Sequence, residues 1–309
     1  MPARIVVVGS LNVDFVLSLE RFPAPGETVV GNHFATYPGG KGANQAYGAA
    51  RLGGIVSMVG QVGNDAHAGW LKQHLALGGV DVAHVRTDPM VSTGVAVIGV
   101  DPSGQNRIVI VAGSNGTLRV EHLTPLERLL GPGDILLLQL EVPLPTVEAA
   151  ARMAKQAGAT VILDPAPAVP LGRELLAAAE YVTPNESELA TLTDLPAQET
   201  LDRAEATRRA RRLQELGAKQ VIVKMGSQGA LLVSGAGDQF WPAIPVQAVD
   251  TTAAGDAFNA AFAVALAAGE PVIAAGHFAT AAAACSVTRP GAQPSMPTRA
   301  EVEAFQKAP

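Results

Sequence analysis

A carboxylate and a run of small residues stand together in the stretch DTTAAGDAFNAAFAVALAAG, from Asp250 to Gly269. The alanine-rich part that follows Asp256 predicts a long buried helix. Small residues before a helix leave backbone N–H groups free, and free amides with the helix dipole suit an anion such as phosphate. A carboxylate would repel a resting phosphate, so Asp256 is better suited to take a proton from a hydroxyl that attacks the phosphate. The alternative interpretation is an acid that only stabilises the first helical turn, by ~0.3 to 1 kcal/mol.

Two pairs of polar residues follow predicted buried strands. Asn12 and Asp14 come after RIVVVG, and Gln139 and Glu141 end ILLLQLE. In extended backbone, residues two apart point to the same side. Carboxylates accept hydrogen bonds from hydroxyls, and an asparagine both donates and accepts, so the pairs together predict a polyhydroxylated ligand. A simple polar strand exit is the alternative.

The stretch PGGKGANQAYGAARLGG combines two glycines with a lysine before a helix that is predicted from Asn44 to about Leu52. The glycines permit positive φ and close backbone approach, and Lys41 supplies a mobile charge. The spacing is neither a P-loop nor a dinucleotide fingerprint, because Gln45 stands where the last glycine of the fingerprint would be. Taken alone, the stretch is also compatible with a glycine turn into a helix.

The stretch TPNESE has a structural interpretation of its own. Asn185 followed three residues later by Glu188 is the pattern of a capping box, in which side chains satisfy the first amides of a helix. By itself this pattern favours capping over ligand binding.

Short β-branched strands alternate with longer helical patterns along most of the chain. This order is typical of an α/β fold with a doubly wound, mostly parallel sheet and helices on both faces. GALLVSG and QFWPAI predict an antiparallel edge on that sheet. We expect residues 1–14, 38–92 and 114–309 to form this core.

Two regions break the alternation, residues 15–37 and residues 93–113. They contain strand patterns without helices, including GVAVIGV and RIVIVAG on either side of the turn DPSGQN. We expect them to form a small antiparallel sheet beside the core. Because a hairpin with one apolar face is only marginally stable alone, this sheet should cover a ligand or a second copy of itself.

Composition narrows the possible functions. Of 309 residues 48% are hydrophobic, and the formal net charge is −6, so no basic face for nucleic acid or an anionic membrane is expected. The single cysteine, Cys285, lies in an apolar run, which excludes an internal disulfide and fits a reducing cytoplasm. Charged and polar residues interrupt the apolar region from Ala253 to Val287, so no membrane span is expected there.

Taken in order, VVVGSLNVD, PGGKGANQA, LLQLE, TPNESEL, VKMGSQGALL and DTTAAGDAFNAA resemble the ribokinase branch of the ribokinase-like carbohydrate kinases. The resemblance runs from Arg4 to the C-terminal helix. It implies transfer of the γ-phosphoryl group of MgATP to a sugar hydroxyl, which in this branch is the 5-hydroxyl of D-ribose. It also implies that the small sheet is a lid, through which members of the family often form a homodimer.

The resemblance assigns roles to individual residues. Asp256 would be the general base, with the amides of Ala253, Ala254 and Gly255 as an anion hole. The sugar would be held by Asn12, Asp14, Gly40, Lys41, Asn44, Glu141 and Asp256. The phosphates, magnesium and nucleotide would be held by Asn185, Glu188, Lys224, Gly226, Ser227, Gly229, Gly255 and Thr280. Lys224 departs from the threonine that several ribokinases carry at this position.

Ribokinases also use a monovalent cation, usually potassium, and the resemblance extends to its site. The loop RPGAQPS is rich in glycine and proline and can turn carbonyl groups inward, although without the resemblance it would be an ordinary loop. The matching residues are Asp250 and Ser295 by side chain, and Thr252, Ser286, Arg289 and Gly291 by carbonyl.

The same residues allow three other functions to be compared with this one. A related kinase for deoxyribose, fructose or a nucleoside would use the same site with different hydroxyl pairing. A non-catalytic sugar sensor would have no need of Asp256 beside the Ala-Ala-Gly turn. A dinucleotide-dependent oxidoreductase is disfavoured, because no GxGxxG follows the first strand.

Overall fold

The computed structural model describes residues 2–102, 105–198 and 200–307. Ser103 and Gly104, in the predicted turn DPSGQN, lie outside the described residues. The strands are β1 (Arg4–Val8), β2 (Asn12–Leu19), β3 (Gly31–Gly39), β4 (Ile55–Gly63), β5 (Val80–Asp88), β6 (Gly94–Val100), β7 (Asn106–Val111), β8 (Ile135–Leu138), β9 (Thr160–Leu163), β10 (Tyr181–Val182), β11 (Gln220–Lys224), β12 (Gly229–Val233) and β13 (Gln239–Pro242). The helices are α1 (Lys41–Arg51), α2 (Ala66–Leu77), α3 (Leu126–Leu129), α4 (Leu144–Ala157), α5 (Arg173–Ala178), α6 (Glu186–Thr193), α7 (Arg203–Leu216), α8 (Ala254–Ala267), α9 (Val272–Ser286) and α10 (Arg299–Lys307).

The larger sheet has nine strands in the order β13-β12-β11-β10-β9-β8-β1-β4-β5. Its strands pair in parallel from β5 to β11, and β12 and β13 add the predicted antiparallel edge. Strand β5 was not predicted as a member of this sheet, because its sequence VDVAHVRTD mixes polar residues into the strand pattern. The predicted fold class is confirmed.

Helices cover both faces of this sheet. In β1, Ile5 and Val7 join the core beneath α1, α2, α8 and α9, whereas Val6 and Val8 join the core beneath α3 to α7. Because successive side chains of a strand point to opposite faces, a strand buried on both sides reads as a continuous apolar run. This explains the run IVVV at the start of the chain.

The smaller sheet has four strands in the order β3-β2-β6-β7. The pairs β2–β3 and β6–β7 are antiparallel as predicted. The central pair, β2–β6, is parallel, with Asn12 beside Gly94 at its start. The reason is topological: both central strands leave the core at the same end, so they run in the same direction.

None of the helices in the described ranges has the length and apolar character that a membrane span requires.

Candidate active site

Helix α8 begins without a side-chain cap. Its N-cap residue is Ala253, which has φ 60° and ψ 15°, a left-handed conformation that is unfavourable for a residue with a Cβ. The Ala254 amide donates to the Thr251 carbonyl at 3.3 Å. Among the described residues, the amides of Ala253 and Gly255 have no such partner. Two of the three predicted anion-hole amides are therefore free, and the third is engaged in a long bond.

Asp256 is the third residue of α8 and is only 4% exposed. Its Oδ2 accepts a hydrogen bond from Asn44 Nδ2 at 3.0 Å, and its Oδ1 accepts one from Gln45 Nε2 at 3.0 Å. A buried carboxylate needs such donors to stay ionised. Both donors lie on α1, so the helix after the double glycine holds the acid that follows the Ala-Ala-Gly turn.

Helix α1 begins at Lys41, three residues before the predicted Asn44. Its N-cap, Gly40, has φ 89°, and a Cβ there would lie 2.8 Å from the Asn12 amide nitrogen. A Cβ on Gly39 would lie 2.0 Å from Asp14 Oδ2. The double glycine therefore brings the start of α1 against the start of β2 and makes room for the Asp14 carboxyl.

The polar residues that follow β1 and β8 differ in how many partners they have. Glu141 accepts from Ser10 Oγ and from the Lys41 amide at 3.0 Å, and Asn12 Oδ1 accepts from Asn115 Nδ2 at 2.7 Å. The Asp14 carboxyl has no hydrogen-bond partner in the described part of the chain, although Asp14 is only 9% exposed. A buried carboxyl without a hydrogen-bond partner indicates a group that binds a ligand.

A cavity of about 1120 Å³ joins these groups. Side chains of the small sheet, among them Ile98 and Ile110, form part of its wall. Every residue predicted to bind sugar or nucleotide lines this cavity: Asn12, Asp14, Gly40, Lys41, Asn44, Glu141, Asn185, Glu188, Lys224, Gly226, Ser227, Gly229, Ala253, Ala254, Gly255, Asp256 and Thr280.

The part of the cavity at the start of α6 contains the predicted capping box. Asn185 Oδ1 accepts from the Glu188 amide at 2.8 Å, and Glu188 accepts from the Asn185 amide at 2.7 Å and from Asn185 Nδ2 at 2.9 Å. Because both residues also line the cavity, the capping and ligand-binding interpretations are compatible. Thr280 donates to the Gly276 carbonyl at 2.9 Å within its own helix.

Lys224 forms an ion pair inside the cavity. Its Nζ lies 2.8 Å from Asp164 Oδ1, and the two side chains are 14% and 2% exposed. A Cβ on Gly255 would lie 3.1 Å from Lys224 Nζ, so the ammonium group lies against the first turn of α8. The position that departs from threonine thus carries a positive charge beside the free amides.

The acids and lysines of the cavity shift one another's pKa. Burial, followed by the charges of Glu141 and Asp256, raises the pKa of Asp14 to about 7. Burial raises the pKa of Asp256, the charge of Asp164 adds to the rise, and Lys41 and the two amide donors oppose it. Burial alone would lower the pKa of Lys41, but the surrounding carboxylates outweigh it, so the pKa rises and Lys41 stays charged.

The predicted cation residues lie in two adjoining loops and at the end of α9, and only Thr252 among them lines the large cavity. Asp250 joins the loops: its Oδ1 accepts from the Thr252 amide at 2.9 Å, and its Oδ2 accepts from the Gly291 amide at 2.8 Å. Burial raises the pKa of Asp250, but hydrogen bonds from Thr252 and Gly291 outweigh it and lower the pKa below its ordinary value. The remaining predicted residues are Ser286, whose Oγ donates to the Ala283 carbonyl, Arg289, whose guanidinium pairs with Glu301, and Ser295, whose Oγ donates to the Ala292 carbonyl.

Gln45 and Asp164 contact the cavity residues although the sequence did not predict either as part of the site, and Gln139 lies elsewhere than predicted. Gln139 is fully buried, does not line the cavity, and donates to Gln45 Oε1 at 2.6 Å. The prediction that it shares a ligand with Glu141 is wrong, because β8 ends at Leu138 and the alternation stops there. The position of Asp164 directly after a buried strand could have predicted its role, because a buried acid needs a polar or charged partner.

The fold and the cavity define a carbohydrate kinase. The family model of the pfkB family carbohydrate kinases matches residues 2–299, and the chain belongs to this family.

Relatives of known activity match the whole chain. The chain is 40% identical to the ribokinase of Haemophilus influenzae over 305 residues, which cover 99% of each protein. It is similar to the structure of Arabidopsis thaliana ribokinase complexed with ribose and ATP, with 38% identity, a TM-score of 0.90 and 100% of both chains covered. It is also 38% identical to the deoxyribokinase of Salmonella typhi over 295 residues, which cover 95% of each protein.

Proposed function

We propose that this protein transfers the γ-phosphoryl group of ATP to the 5-hydroxyl of D-ribose and releases ribose 5-phosphate and ADP. One observation carries the proposal: the Asp256 carboxylate and the free amides of Ala253 and Gly255 line the same cavity as Asp14 and Lys41. Full-length similarity to ribokinases, one of them complexed with ribose and ATP, supports both substrates.

Asp256 acts as the general base. It takes the proton of the 5-hydroxyl as the sugar oxygen forms a bond to the γ-phosphorus. The bond from that phosphorus to the bridging oxygen breaks, and the oxygen leaves with ADP. The amides of Ala253 and Gly255 stabilise the charge on the transferring group, and Lys41, which stays charged, adds a positive charge nearby.

The sugar is bound by residues at the start of β2, around the start of α1 and after β8. Asp14 has the greatest free capacity, because its carboxyl has no partner in the described residues. With a pKa of about 7, it can donate to one hydroxyl or accept from two near neutral pH. The sugar-binding residues we propose are Asn12, Asp14, Gly40, Lys41, Asn44 and Glu141.

ATP lies on the other side of Asp256. Gly226 and Gly229 allow ATP to approach the backbone closely, and Lys224 supplies a positive charge. Thr280 lies at the adenine end, and Gly255 and Ser227 contact the phosphates. Asn185 and Glu188 serve the phosphate and magnesium side.

Magnesium fits this side of the cavity. Within the described residues, no group of three or more His, Cys, Asp or Glu side chains could hold a metal ion. This suits Mg²⁺ in a kinase, which is bound by one or two carboxylates together with substrate phosphates and water. Glu188 would supply the carboxylate. When bound, the ion neutralises charge on the phosphates.

A monovalent cation, usually potassium in ribokinases, would lie between the two loops that Asp250 joins. The ionised Asp250 and the carbonyl groups of Thr252, Ser286, Arg289 and Gly291, with the Ser295 side chain, would hold it. Their donor set is oxygen only, as a hard cation requires. Turnover in potassium should exceed turnover in a large inert cation at equal ionic strength. Equal rates would contradict the proposed cation site.

The small sheet, predicted as residues 15–37 and 93–113, acts as a lid over the core, predicted as residues 1–14, 38–92 and 114–309. Its strand β2 begins earlier, at Asn12, and its strand β3 ends later, at Gly39. Ile108 and Ile110 line the cavity and are 52% and 46% exposed, and Val109 and Val111, on the opposite face, are 65% and 57% exposed. An apolar face of this kind suits contact with the lid of a second copy. Sedimentation should give a dimer, and Val109→Asp should give a monomer.

An assay of ADP formation across sugars tests the proposed function. We expect the highest kcat/KM with D-ribose, and a product phosphorylated at the 5-position. The similarity to a deoxyribokinase favours 2-deoxyribose as the second candidate, so it is the critical comparison. A site that pairs with the 2-hydroxyl rejects the analogue lacking it by up to ~10⁴-fold to 10⁵-fold. If kcat/KM is highest with deoxyribose, fructose or a nucleoside, that compound replaces ribose as the proposed substrate. If ribose binds but no ADP is released, the protein is a sugar sensor.

A further inference from the structure

Gln45 is a fully buried polar side chain that touches two carboxylates. It lies on α1, immediately after Asn44, and is 0% exposed. Its Nε2 donates to Asp256 Oδ1 at 3.0 Å and to Asp164 Oδ2 at 2.9 Å. Its Oε1 accepts from Gln139 Nε2 at 2.6 Å. Both amide protons and the amide oxygen are therefore in use.

These partners fix the orientation of the Gln45 amide. Ionised carboxylates only accept hydrogen bonds, so the NH₂ group must face Asp256 and Asp164. The oxygen must then face a donor, which Gln139 provides. A flipped amide would place its oxygen against two negative charges. Gln139, which does not line the cavity, therefore controls a group that touches the proposed base.

The charges around Asp256 make this amide important. Lys41 attracts the carboxylate, whereas Asp14 and Asp164 repel it. Asp164 is itself neutralised on its other oxygen by Lys224. Two carboxylates that share a site without a donor between them compete for one proton. Gln45 gives each carboxylate a hydrogen-bond donor, so both can remain ionised.

We propose that Gln45 is a positioning residue for Asp256, holding its carboxylate ionised and oriented toward the sugar hydroxyl. This inference rests on the proposed role of Asp256 as the general base. Asn44 holds Oδ2 and Gln45 holds Oδ1, so the plane of the carboxylate is set from both sides. Gln45 itself does not line the cavity and acts only through Asp256.

Loss of the Gln45 donor should change the pH dependence of turnover in a defined direction. The hydrogen bond from Gln45 lowers the pKa of Asp256 against the effect of burial, so its removal raises that pKa. A general base must be unprotonated to act, and the acid limb of the kcat profile therefore moves to higher pH.

The test compares Gln45→Met with Gln61→Met. Gln61 is 2% exposed and donates to Asp88, Thr117 and the Ser114 carbonyl, so it controls for the loss of a buried glutamine elsewhere. For Gln45→Met we expect kcat at neutral pH to fall roughly 10-fold to 100-fold, with the ribose KM within about threefold of wild type. The acid limb should move up by about one pH unit, and Gln61→Met should leave both kcat and the acid limb unchanged.

The outcomes separate the two proposals. If Asp256→Asn abolishes turnover but folded Gln45→Met keeps the wild-type kcat and acid limb, Gln45 has no positioning role. If Asp256→Asn retains turnover, the proposed base is wrong instead. Should Gln45→Met fail to fold, Gln139→Leu removes only the partner of the Gln45 oxygen. A smaller fall in kcat in the same direction is then expected, and an unchanged kcat and acid limb would overturn the inference.

Discussion

Two helices begin at the same cavity and treat their first amides in opposite ways. In helix α6 the first backbone amides have hydrogen-bond partners, because Asn185 and Glu188 form a complete capping box. Helix α8 has no side-chain cap, and its N-cap Ala253 has a left-handed conformation. Capping is worth ~1 kcal/mol, so α8 gives up local stability that α6 keeps. The difference indicates that the amides of α8 are kept for a ligand, whereas α6 presents side chains instead.

The largest effect should come from the acid in the first turn of α8. Asp256→Asn removes the proton acceptor, and kcat should fall ~10²-fold to 10⁴-fold, the range for a general base. Asparagine keeps one acceptor for the donors on α1, so fold and ribose binding should be retained. Steady-state kinetics, thermal unfolding and ribose titration would test this, and near-normal turnover would remove Asp256 from the role.

Gly255→Val should have the next largest effect. The new side chain would meet Lys224 Nζ near 3.1 Å, so it would displace the lysine, the first turn of α8, or both. Loss of one amide donor to a transition state lowers turnover ~10²-fold to 10³-fold, and a displaced donor should have an effect of up to ~10²-fold. Kinetics equal to wild type would count against the anion hole.

A smaller effect is expected at the capped helix. Asn185→Ala should lower the free energy of unfolding by ~1 kcal/mol and raise the KM for ATP a few-fold, because Glu188 loses one of the two donors that orient it. Asp202→Ala is the matched control, since Asp202 caps α7 through the Glu205 amide and does not line the cavity. If both variants lose stability equally and neither changes the KM for ATP, Asn185 only caps α6 and has no role in ATP binding.

The smallest effect should come from relaxing the N-cap of α8. Ala253→Gly relieves the left-handed strain of ~1 to 2 kcal/mol, offset by ~0.5 to 1 kcal/mol of added freedom in the unfolded chain. The variant should be more stable by up to ~1 kcal/mol with turnover close to wild type. Chemical denaturation measures the gain, and a less stable variant would show that the alanine side chain has a packing role.

The sequence predicted what depends on local pattern. Alternating strands and helices, the antiparallel edge and the alanine-rich helix after Asp256 each have a periodicity that shows in a short window. Strand β5 was missed, because its mixed polar sequence does not look like a buried strand. The parallel pairing of β2 with β6 was missed for a different reason, since it depends on where two distant strands leave the core.

The predicted cavity residues came together, but the groups that hold them did not show in the sequence. Gln45 contacts Asp164 and Asp256 across 119 and 211 residues of chain. Nothing local distinguishes a glutamine that bridges two carboxylates from one on a helix surface. Likewise, the pairing of Lys224 with Asp164 depends on the order of the strands that carry them.

The place of Asp14 in the small sheet has a consequence for the proposed function. Asp14 is the third residue of β2, and this strand runs from the cavity into the small sheet. Ile98 and Ile110 lie on other strands of the same sheet and line the same cavity. If the small sheet moves as the proposed lid, a sugar bound to Asp14 would stabilise the position in which these isoleucines cover it.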